Sequence, residues 1–323
     1  MAQPGGSFWS TSFGRLLLVM LVAAALVGGG VFWILYTLTH PGRDEATLDP
    51  ADLLLRAEEV TFDAADGVPL SGWFIKGAPG APPILLCHDL GGSRLTLVHS
   101  AVSLNRAGYP LLVFDFRGHG QSGGNGSTLG VREPDDVRGA LAWLKERKDI
   151  DTTRAGLWGI GMGAYAGAMA ALDEPVIVAL ALDTPYATIP AQIDRQVRAL
   201  LPPVAHGLVA ALRPFYQPFF AFKMDESGLG GGLGRLARKN TLIVAAHDAP
   251  DRFEESRALY DSLPEGGDAD KNFLELKASL VSGLYAEDKK VYDQALIGFF
   301  RSYLPLRSGP APRPPQRLEV QEP

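Results

Sequence analysis

Residues able to do nucleophilic or acid–base chemistry concentrate in four short segments of this 323-residue chain. In chain order they are LLCHDLGGSR at 85–94, DFRGHGQSGG at 115–124, GLWGIGMGAYAG at 156–167 and IVAAHDAPDRF at 243–253. In each segment Gly, His, Asp or Ser accompanies an apolar run, as expected where a buried strand ends in a turn. Ligands of open α/β sheets bind at the carboxyl ends of strands, so His247 and Asp248 could form an acid–base pair there.

The elements that must position these residues follow a regular rhythm of short apolar runs separated by helix-length stretches. The runs lie at 84–88, 111–114, 155–159, 176–182, 242–246 and 273–276. Strands buried on both faces lose the alternation of apolar and polar residues, so this rhythm predicts a mostly parallel sheet covered by helices. Two alternating segments, 58–63 and 68–75, precede the runs and predict a β-hairpin. The predicted fold class is α/β.

The stretches between the strands predict helices and one long insertion. Helical spacing predicts helices over 95–107 (after Ser93), 134–147 and 288–304. The stretch 187–239 is too long for an ordinary connection between a helix and a strand, so it predicts a cap or lid. Its apolar centre is interrupted by prolines, and it could cover a pocket, lie in a membrane interface or meet a protein partner.

The N-terminal region predicts a membrane anchor. Residues 16–38 read LLLVMLVAAALVGGGVFWILYTL and contain no charge. About 20 apolar residues span a bilayer, and the run exceeds the roughly 7–15 apolar residues of a cleaved signal peptide. We therefore predict an uncleaved, single-pass signal anchor. Arg15 precedes the run while Arg43 and Arg56 follow it, so charge barely defines the orientation. The short N-terminal tail favours a globular domain outside the cytoplasm.

Composition bounds the remaining possibilities. Hydrophobic residues make up 46% of the chain and charged residues 20%, which excludes wholesale disorder and indicates a packed domain. The net charge of −6, with no basic stripe, argues against nucleic acid as a partner. The single cysteine, Cys87, excludes an intramolecular disulfide and a Cys-cluster zinc site. No cofactor and no metal is predicted.

The predicted organisation has five parts. They are an N-terminal tail at 1–15, the anchor at 16–38, a linker at 39–57, a globular domain at 58–305 and a disordered Pro-rich tail at 306–323. The cap insertion 187–239 belongs to the globular domain.

Together the four segments resemble the α/β-hydrolase superfamily, in particular its serine aminopeptidase and monoacylglycerol-lipase-like branch. The resemblance covers roughly 58–304 and implies about eight strands with helices on both faces of the sheet. It implies that 85–94 is the turn after the third strand, and that the amides of Leu90 and Met162 correspond to the oxyanion hole. It makes Ser122, in the segment 115–124, a structural turn residue. The segment 156–167 takes the place of the nucleophile elbow.

This elbow lacks a nucleophile. The elbow pattern G-x-S-x-G presents its central side chain at a sharp strand-to-helix turn. Here Gly159 and Gly163 keep the flanking glycines, while Gly161 stands at the centre. Glycine has no oxygen or sulfur atom with which to attack a substrate. The chain is therefore expected to have lost serine-hydrolase chemistry.

The resemblance implies that the other catalytic positions are degenerate as well. The histidine position before the final helix falls near Leu280, and all six histidines precede it. The acid position corresponds best to Asp248, with Asp251 as the second choice. Asp89 stands where the family has glycine, and a carboxylate beside a developing oxyanion would repel it.

Polar residues near these positions leave room for an alternative polar site. Its candidate residues are His88, Asp89, His247 and Asp251. His88 and His119 lie in turn motifs, where a structural hydrogen bond is favoured over proton transfer.

A second pattern overlaps the elbow. Gly159, Gly161 and Ala164 satisfy G-x-G-x-x-A after a strand, and Asp183 follows about twenty residues later, as in dinucleotide-binding turns. Against this interpretation, the motif follows several strands instead of opening the sheet. Binding of a nucleotide or another anion at this turn stays open as an alternative.

The sequence thus predicts a membrane-anchored protein of α/β-hydrolase type that is inactive as a serine hydrolase. It would act by binding a small apolar ligand or a protein partner through the cap. An active esterase, lipase or peptidase that uses non-standard residues is the other alternative.

Overall fold

The computed structural model describes residues 12–43, 57–220, 228–264, 269–278 and 286–306. Within these ranges eight strands form one sheet in the order β1-β2-β4-β3-β5-β6-β7-β8. The strands are β1 Ala57–Asp63, β2 Pro69–Ile75, β3 Ile84–Cys87, β4 Leu111–Phe114, β5 Ala155–Ile160, β6 Ile177–Asp183, β7 Asn240–Ala246 and β8 Lys271–Leu276. Strand β2 pairs antiparallel with β1 and β4, and the other pairs are parallel. The predicted hairpin and the predicted mostly parallel sheet are both confirmed.

Helices precede, connect and follow these strands. In the described residues they are α1 Ser12–Thr39, α2 Val98–Arg106, α3 Glu133–Lys145, α4 Met162–Ala171, α5 Ile189–Leu200, α6 Val209–Phe220, α7 Leu233–Leu236, α8 Pro250–Ser262 and α9 Ala286–Tyr303. Three 3-10 segments accompany them, at Arg94–Leu97, Pro203–Leu208 and Gly228–Gly232. The helix predicted from residue 95 therefore begins as a 3-10 turn, which Ser93 caps by accepting the Leu95 amide on its hydroxyl.

Each face of the sheet carries its own apolar core, which is why the central strands appear in the sequence as continuous apolar runs. All four residues of β3 are buried. Leu85 joins the cluster that contains α3 and α4, whereas its neighbour Leu86 joins the cluster that contains α2 and α9. Helices thus cover both faces, as predicted.

The predicted cap insertion is mostly helical in the part that the structure describes. Residues 187–220 and 228–239 contain α5, α6, α7 and the two 3-10 segments at Pro203–Leu208 and Gly228–Gly232. Helix α5 begins after Thr188, whose hydroxyl accepts the Ala191 amide, and it buries Ile189, Ile193 and Val197 at four-residue intervals.

Helix α1 is attached to the domain by its carboxyl end. By length and composition it could cross a membrane, with a mean hydropathy of 2.5 over its most apolar window. Its buried side chains, Ile34, Leu35, Leu38 and Thr39, all lie in the last turns and join the domain core. The helix contacts α5 and α6 of the cap.

Polar contacts continue this attachment beyond the helix. The Ser127 amide donates to the Thr39 carbonyl over 2.7 Å. The Arg43 guanidinium donates to the carbonyls of Ser122 and Gly124 over 2.9 and 2.8 Å. Residues 39–43 of the predicted linker therefore contact the domain. Residues 44–56 of that linker, most of the N-terminal tail and all but residue 306 of the Pro-rich tail lie outside the described residues.

Candidate functional site

The strand–turn–helix at residues 155–171 has the geometry of an elbow. Gly161 stands between β5 and α4 with φ +52° and ψ −111°, backbone angles that L side chains rarely adopt. The flanking glycines allow the backbone to pass closely. A Cβ on Gly159 would lie 2.5 Å from the Gly163 carbonyl oxygen, and one on Gly163 would lie 2.3 Å from that of Cys87. The sequence placed this turn correctly.

The Asp89 carboxylate occupies the anion site beside this turn. Its Oδ1 accepts the Leu90 amide over 2.8 Å and the Met162 amide over 2.7 Å. These are the two amides that the resemblance assigned to the oxyanion hole. The expectation that Asp89 would repel an oxyanion stays a prediction. The structure adds that the carboxylate itself accepts both amides.

The same carboxylate fills the space of a nucleophilic side chain. A Cβ built on Gly161 would lie 2.1 Å from Asp89 Oδ1 and 2.3 Å from Asp89 Cγ. In proteins a Cβ atom essentially never lies within 3.0 Å of a heavy atom outside its own and the adjacent residues. The Asp89 carboxylate can therefore take this position only because residue 161 has no side chain.

A cation from α8 faces the other oxygen of Asp89. Arg252 Nη1 lies 3.5 Å from Asp89 Oδ2, and the two side chains are 20% and 17% exposed. Sequence analysis missed Arg252, although it directly follows the candidate Asp251. The guanidinium and the two amides thus surround this carboxyl group with hydrogen-bond donors.

A buried carboxyl group, Asp183, closes the carboxyl end of β6. Its Oδ2 accepts the Tyr292 hydroxyl over 2.8 Å, and the Tyr292 oxygen accepts the Trp158 indole N–H over 2.8 Å. Burial, together with the charge of Asp89, raises the pKa of Asp183 to about 7. Because Asp183 is buried and Asp89 occupies the Met162 amide, the geometry does not favour a nucleotide at this turn.

Two histidines hold the turns after β3 and β4 together. His88 Nε2 accepts the Phe116 amide over 3.0 Å, and His88 Nδ1 donates to the Asp89 carbonyl over 2.7 Å. His119 Nε2 accepts the Gly91 amide over 3.1 Å, and its Nδ1 donates to the Arg117 carbonyl over 2.9 Å. Both rings are thereby fixed as neutral imidazoles. His88 is a structural residue, so the alternative polar site loses one of its four candidates.

Burial keeps both imidazoles unprotonated. It lowers the pKa of His88 to about 3, with a smaller contribution from His119. Burial also lowers the pKa of His119. A proton on either Nε2 would oppose the backbone N–H that it now accepts. Neither ring is suited to carry protons near neutral pH.

Ser122 and Cys87 are also structural. The Ser122 hydroxyl donates to the Asp115 carbonyl over 2.5 Å and accepts the Ser71 amide over 2.9 Å. Cys87 is fully buried, and burial raises the pKa of its thiol far above the ordinary range. Neither group is placed to act as a nucleophile.

Apart from Leu280, the remaining candidates lie between the carboxyl end of β7 and the first turn of α8. His247 and Asp248 lie exposed in the turn between β7 and α8. Glu275 Oε2 on β8 lies 3.3 Å from His247 Nε2, and the imidazole ring stacks on Phe253. Leu280, the candidate histidine position, lies outside the described residues.

Asp251 borders a cleft of about 660 Å³ between α5, α6, α8 and the 3-10 segment Pro203–Leu208. Its titratable lining consists of Arg195, Arg198, Arg213, His206, Asp194 and Asp251. Arg213 pairs with Asp194, and Arg195 pairs with Glu255. This lining differs from the expectation of a small apolar ligand, because charged side chains dominate it. The 195/198 spacing on one helix face was a signal that sequence analysis did not use.

No group of three or more His, Cys, Asp or Glu side chains suited to a metal occurs in the described part of the chain. No cofactor site follows from the geometry of these residues.

Comparison with known proteins agrees with this architecture. A family model described as the alpha/beta hydrolase fold matches residues 82–230. The Pyrococcus furiosus esterase Pf2001 superimposes with a TM-score of 0.64 at 22% identity, covering 82% of this chain and 99% of the esterase. A dienelactone hydrolase from Anabaena variabilis gives a TM-score of 0.53 at 16% identity, over 77% and 99% of the two chains. The chain has the α/β-hydrolase fold, and these matches support that superfamily.

Curated relatives share only part of their length with this chain. An uncharacterised Mycobacterium tuberculosis protein is 28% identical over 178 residues, 53% of this chain and 62% of the relative. The alpha/beta hydrolase domain-containing protein WAV2 of Arabidopsis thaliana is 31% identical over 163 residues, 48% and 52% of the two chains. The chain thus spans under two thirds of either relative.

Proposed function

We propose that this protein is a membrane-anchored α/β-hydrolase-fold protein without serine-hydrolase activity, which acts by binding a ligand or partner. The observation that carries the proposal is the Asp89 carboxylate, which accepts the Leu90 and Met162 amides beside Gly161. A hydrolase reserves these amides for the charge that develops on its substrate. Here an internal carboxylate uses them in the resting protein.

Two physical barriers oppose acyl transfer at this turn. No attacking atom exists at residue 161, and an incoming carbonyl oxygen would have to displace Asp89 from the two amides. Removal of that carboxylate also separates it from Arg252. The serine aminopeptidase and monoacylglycerol-lipase-like branch is retained as the proposed origin of the scaffold, on the segments 85–94 and 115–124.

The membrane anchor is part of the proposal. Helix α1 is exposed along most of its length, unlike the core helix of a soluble domain. Its docked carboxyl end supports retention of the helix over cleavage. The placement of the globular domain outside the cytoplasm stays a prediction.

The test measures loss and restoration of chemistry in the full-length protein. We expect no labelling by a fluorophosphonate probe and no hydrolysis of short-chain p-nitrophenyl esters. Gly161→Ser with Leu280→His is expected to remain inactive, because the new side chain meets Asp89. Adding Asp89→Gly to that pair frees both the amides and the space, and we expect ester turnover to rise at least tenfold above the double variant.

The outcomes separate this proposal from the alternative of an active hydrolase. Stoichiometric labelling of a serine in the unmodified protein would overturn the proposal. So would ester turnover that His247→Ala or Asp248→Ala abolishes. The double variant without Asp89→Gly is the matched control, since it adds both catalytic side chains and leaves the amides occupied.

A further inference from the structure

The cleft under the cap contains a cation without an acidic partner. Arg213 and Arg195 pair with Asp194 and Glu255, whereas Arg198 makes no ion pair with any residue that the structure describes. Arg198 is exposed at the carboxyl end of α5. The cleft thus offers three guanidinium groups, of which one has its full hydrogen-bonding capacity available for an anion.

A fourth cation lies nearby. Burial lowers the pKa of Arg195, and the charge of Arg252 lowers it further, while the carboxylates of Asp251 and Asp89 act in the opposite direction. Carboxylates pair with Arg195, Arg213 and Arg252, so an anion in this cleft would be bound mainly through Arg198. Guanidinium groups match the planar oxygen pairs of phosphate particularly well.

Helix α1 fixes the height of this cleft relative to a membrane. The roughly 22 residues of α1 that precede Ile34 extend about 33 Å, close to the thickness of a bilayer's hydrocarbon core of about 30 Å. Trp33 and Tyr36 are exposed, as expected of aromatic side chains at the headgroup level. The buried side chains of α1 begin at this same level, and α1 contacts α5 and α6. With α1 across a bilayer, the parts of α5 and α6 that contact it would lie near the lipid headgroups.

We propose that this cleft binds the phosphate headgroup of an acidic membrane lipid, while the acyl chains remain in the bilayer beside α1. The inference deepens the proposed function and rests on the membrane insertion of α1. Arg198 provides the direct contact to phosphate, and Arg195 and Arg213, already held by their carboxylate partners, border the same anion. A free phosphate has the same headgroup chemistry, but it lacks the chains that would place it at the membrane surface.

The experiment measures thermal unfolding of the full-length protein in a nonionic detergent. A thiol-reactive fluorophore reports unfolding, because the buried Cys87 is the only cysteine in the chain. The probes are dihexanoylphosphatidic acid, dihexanoylphosphatidylcholine and inorganic phosphate at equal concentrations. We expect phosphatidic acid to raise the unfolding midpoint saturably, by about 3 °C or more near saturation, and the other two probes to raise it far less.

Two variants test whether phosphatidic acid stabilises the protein by binding in this cleft. Arg198→Gln should increase the concentration of phosphatidic acid for half-maximal stabilisation by about tenfold, as expected for the loss of one charge-assisted contact. Arg106→Gln is the matched control, because Arg106 is an exposed arginine on α2, which packs on the opposite face of the sheet. Its response should equal that of the unmodified protein.

Several outcomes would overturn the inference. They are no shift with phosphatidic acid, an equal shift with phosphatidylcholine or inorganic phosphate, or an unchanged response in Arg198→Gln. These results leave the proposed loss of hydrolase activity untouched. Release of hexanoate from phosphatidic acid would instead contradict the proposed function, so the two failures are distinguishable.

Discussion

At the scale of single residues, Asp89 determines the character of the site. Its carboxylate satisfies two amides at the start of the elbow helix and faces Arg252, so the region has no unpaired anion hole. A buried amide without an acceptor costs free energy, and an internal carboxylate avoids that cost. Gly161 and Asp89 are compatible with each other, whereas a serine at residue 161 would require the carboxylate to move.

Replacement of Asp89 tests this role through stability. We expect Asp89→Ala to lower the free energy of unfolding by about 2–4 kcal/mol, because two amides lose a charged acceptor. Asp89→Asn keeps an acceptor oxygen of nearly the same shape, and we expect a loss of about 1 kcal/mol or less. Urea denaturation of the two variants provides the measurement. Equal losses in both would show that the carbonyl-type oxygen does not accept these amides.

The sequence predicted that residue 161 lacks a nucleophilic side chain, but not that Asp89 lies in the space beside it. Gly161 could be assigned from the glycines and the strand around it, because those signals are local. The position of the Asp89 carboxylate depends on how closely the turn after β3 approaches the start of α4. That distance results from the packing of two elements more than 70 residues apart in the sequence, and no local pattern encodes it.

At the scale of elements, the turns after β3 and β4 support each other. Each turn contributes one histidine that accepts a backbone amide from the other turn, His88 from Phe116 and His119 from Gly91. The two rings also lie edge to face, with centroids 5.0 Å apart. The turn that carries Asp89 is therefore held in place by neutral imidazoles.

This arrangement makes stability depend on pH with a defined sign. The folded-state pKa of His88 is about 3, below the ordinary value of 6.5, so the unfolded chain binds its proton first as pH falls. Folding stability from this group is complete above pH 6.5 and is lost progressively below it. Between pH 7.5 and 4.5 the loss should reach about 2.7 kcal/mol.

The measurement compares the unmodified protein with His88→Gln. Urea denaturation at pH 7.5 and 4.5 should show that the stability advantage of the unmodified protein narrows by about 2–3 kcal/mol at the lower pH. His99→Gln, at an exposed site on α2, controls for the removal of a histidine. An advantage that stays constant across this range would contradict a neutral, buried His88.

The sequence predicted strands correctly where both faces of the strand are buried. The continuous apolar runs at β3, β4 and β5 reflect strands covered on both faces, and the sequence located each within one or two residues. The start of α2 was less predictable, because Ser93 initiates a 3-10 turn before the α-helix begins. Helix ends depend on single hydrogen bonds, which a hydrophobic pattern does not encode.

At the scale of the whole molecule, the carboxyl end of helix α1 packs against the domain. The last turns of α1 contribute Ile34, Leu35 and Leu38 to the domain core, and Arg43 continues the attachment on the carbonyls of Ser122 and Gly124. The hydropathy of residues 16–38 predicted a membrane helix. It could not predict the docking, since the exposed apolar side chains of α1 and those that face the domain are of the same types.

Two leucines on α1 allow the buried end of the helix to be compared with its exposed part. Leu35 is 5% exposed in the contact with the domain, whereas Leu21 is 56% exposed. We expect Leu35→Ala to lower the unfolding free energy of the domain by about 2–4 kcal/mol, as for other buried leucines. Leu21→Ala should leave it unchanged within about 0.5 kcal/mol. Equal effects in detergent-solubilised protein would contradict the docking.

The docked end of α1 has a practical consequence for any fragment trimmed to improve solubility. A fragment that starts after Arg43 would lack Ile34, Leu35 and Leu38 and would expose the apolar surface that these side chains cover. Detergent, peptides or a second copy of the fragment could bind to this exposed apolar surface. Stability and binding measured on such a fragment would not represent the intact protein, so biochemical work should retain α1.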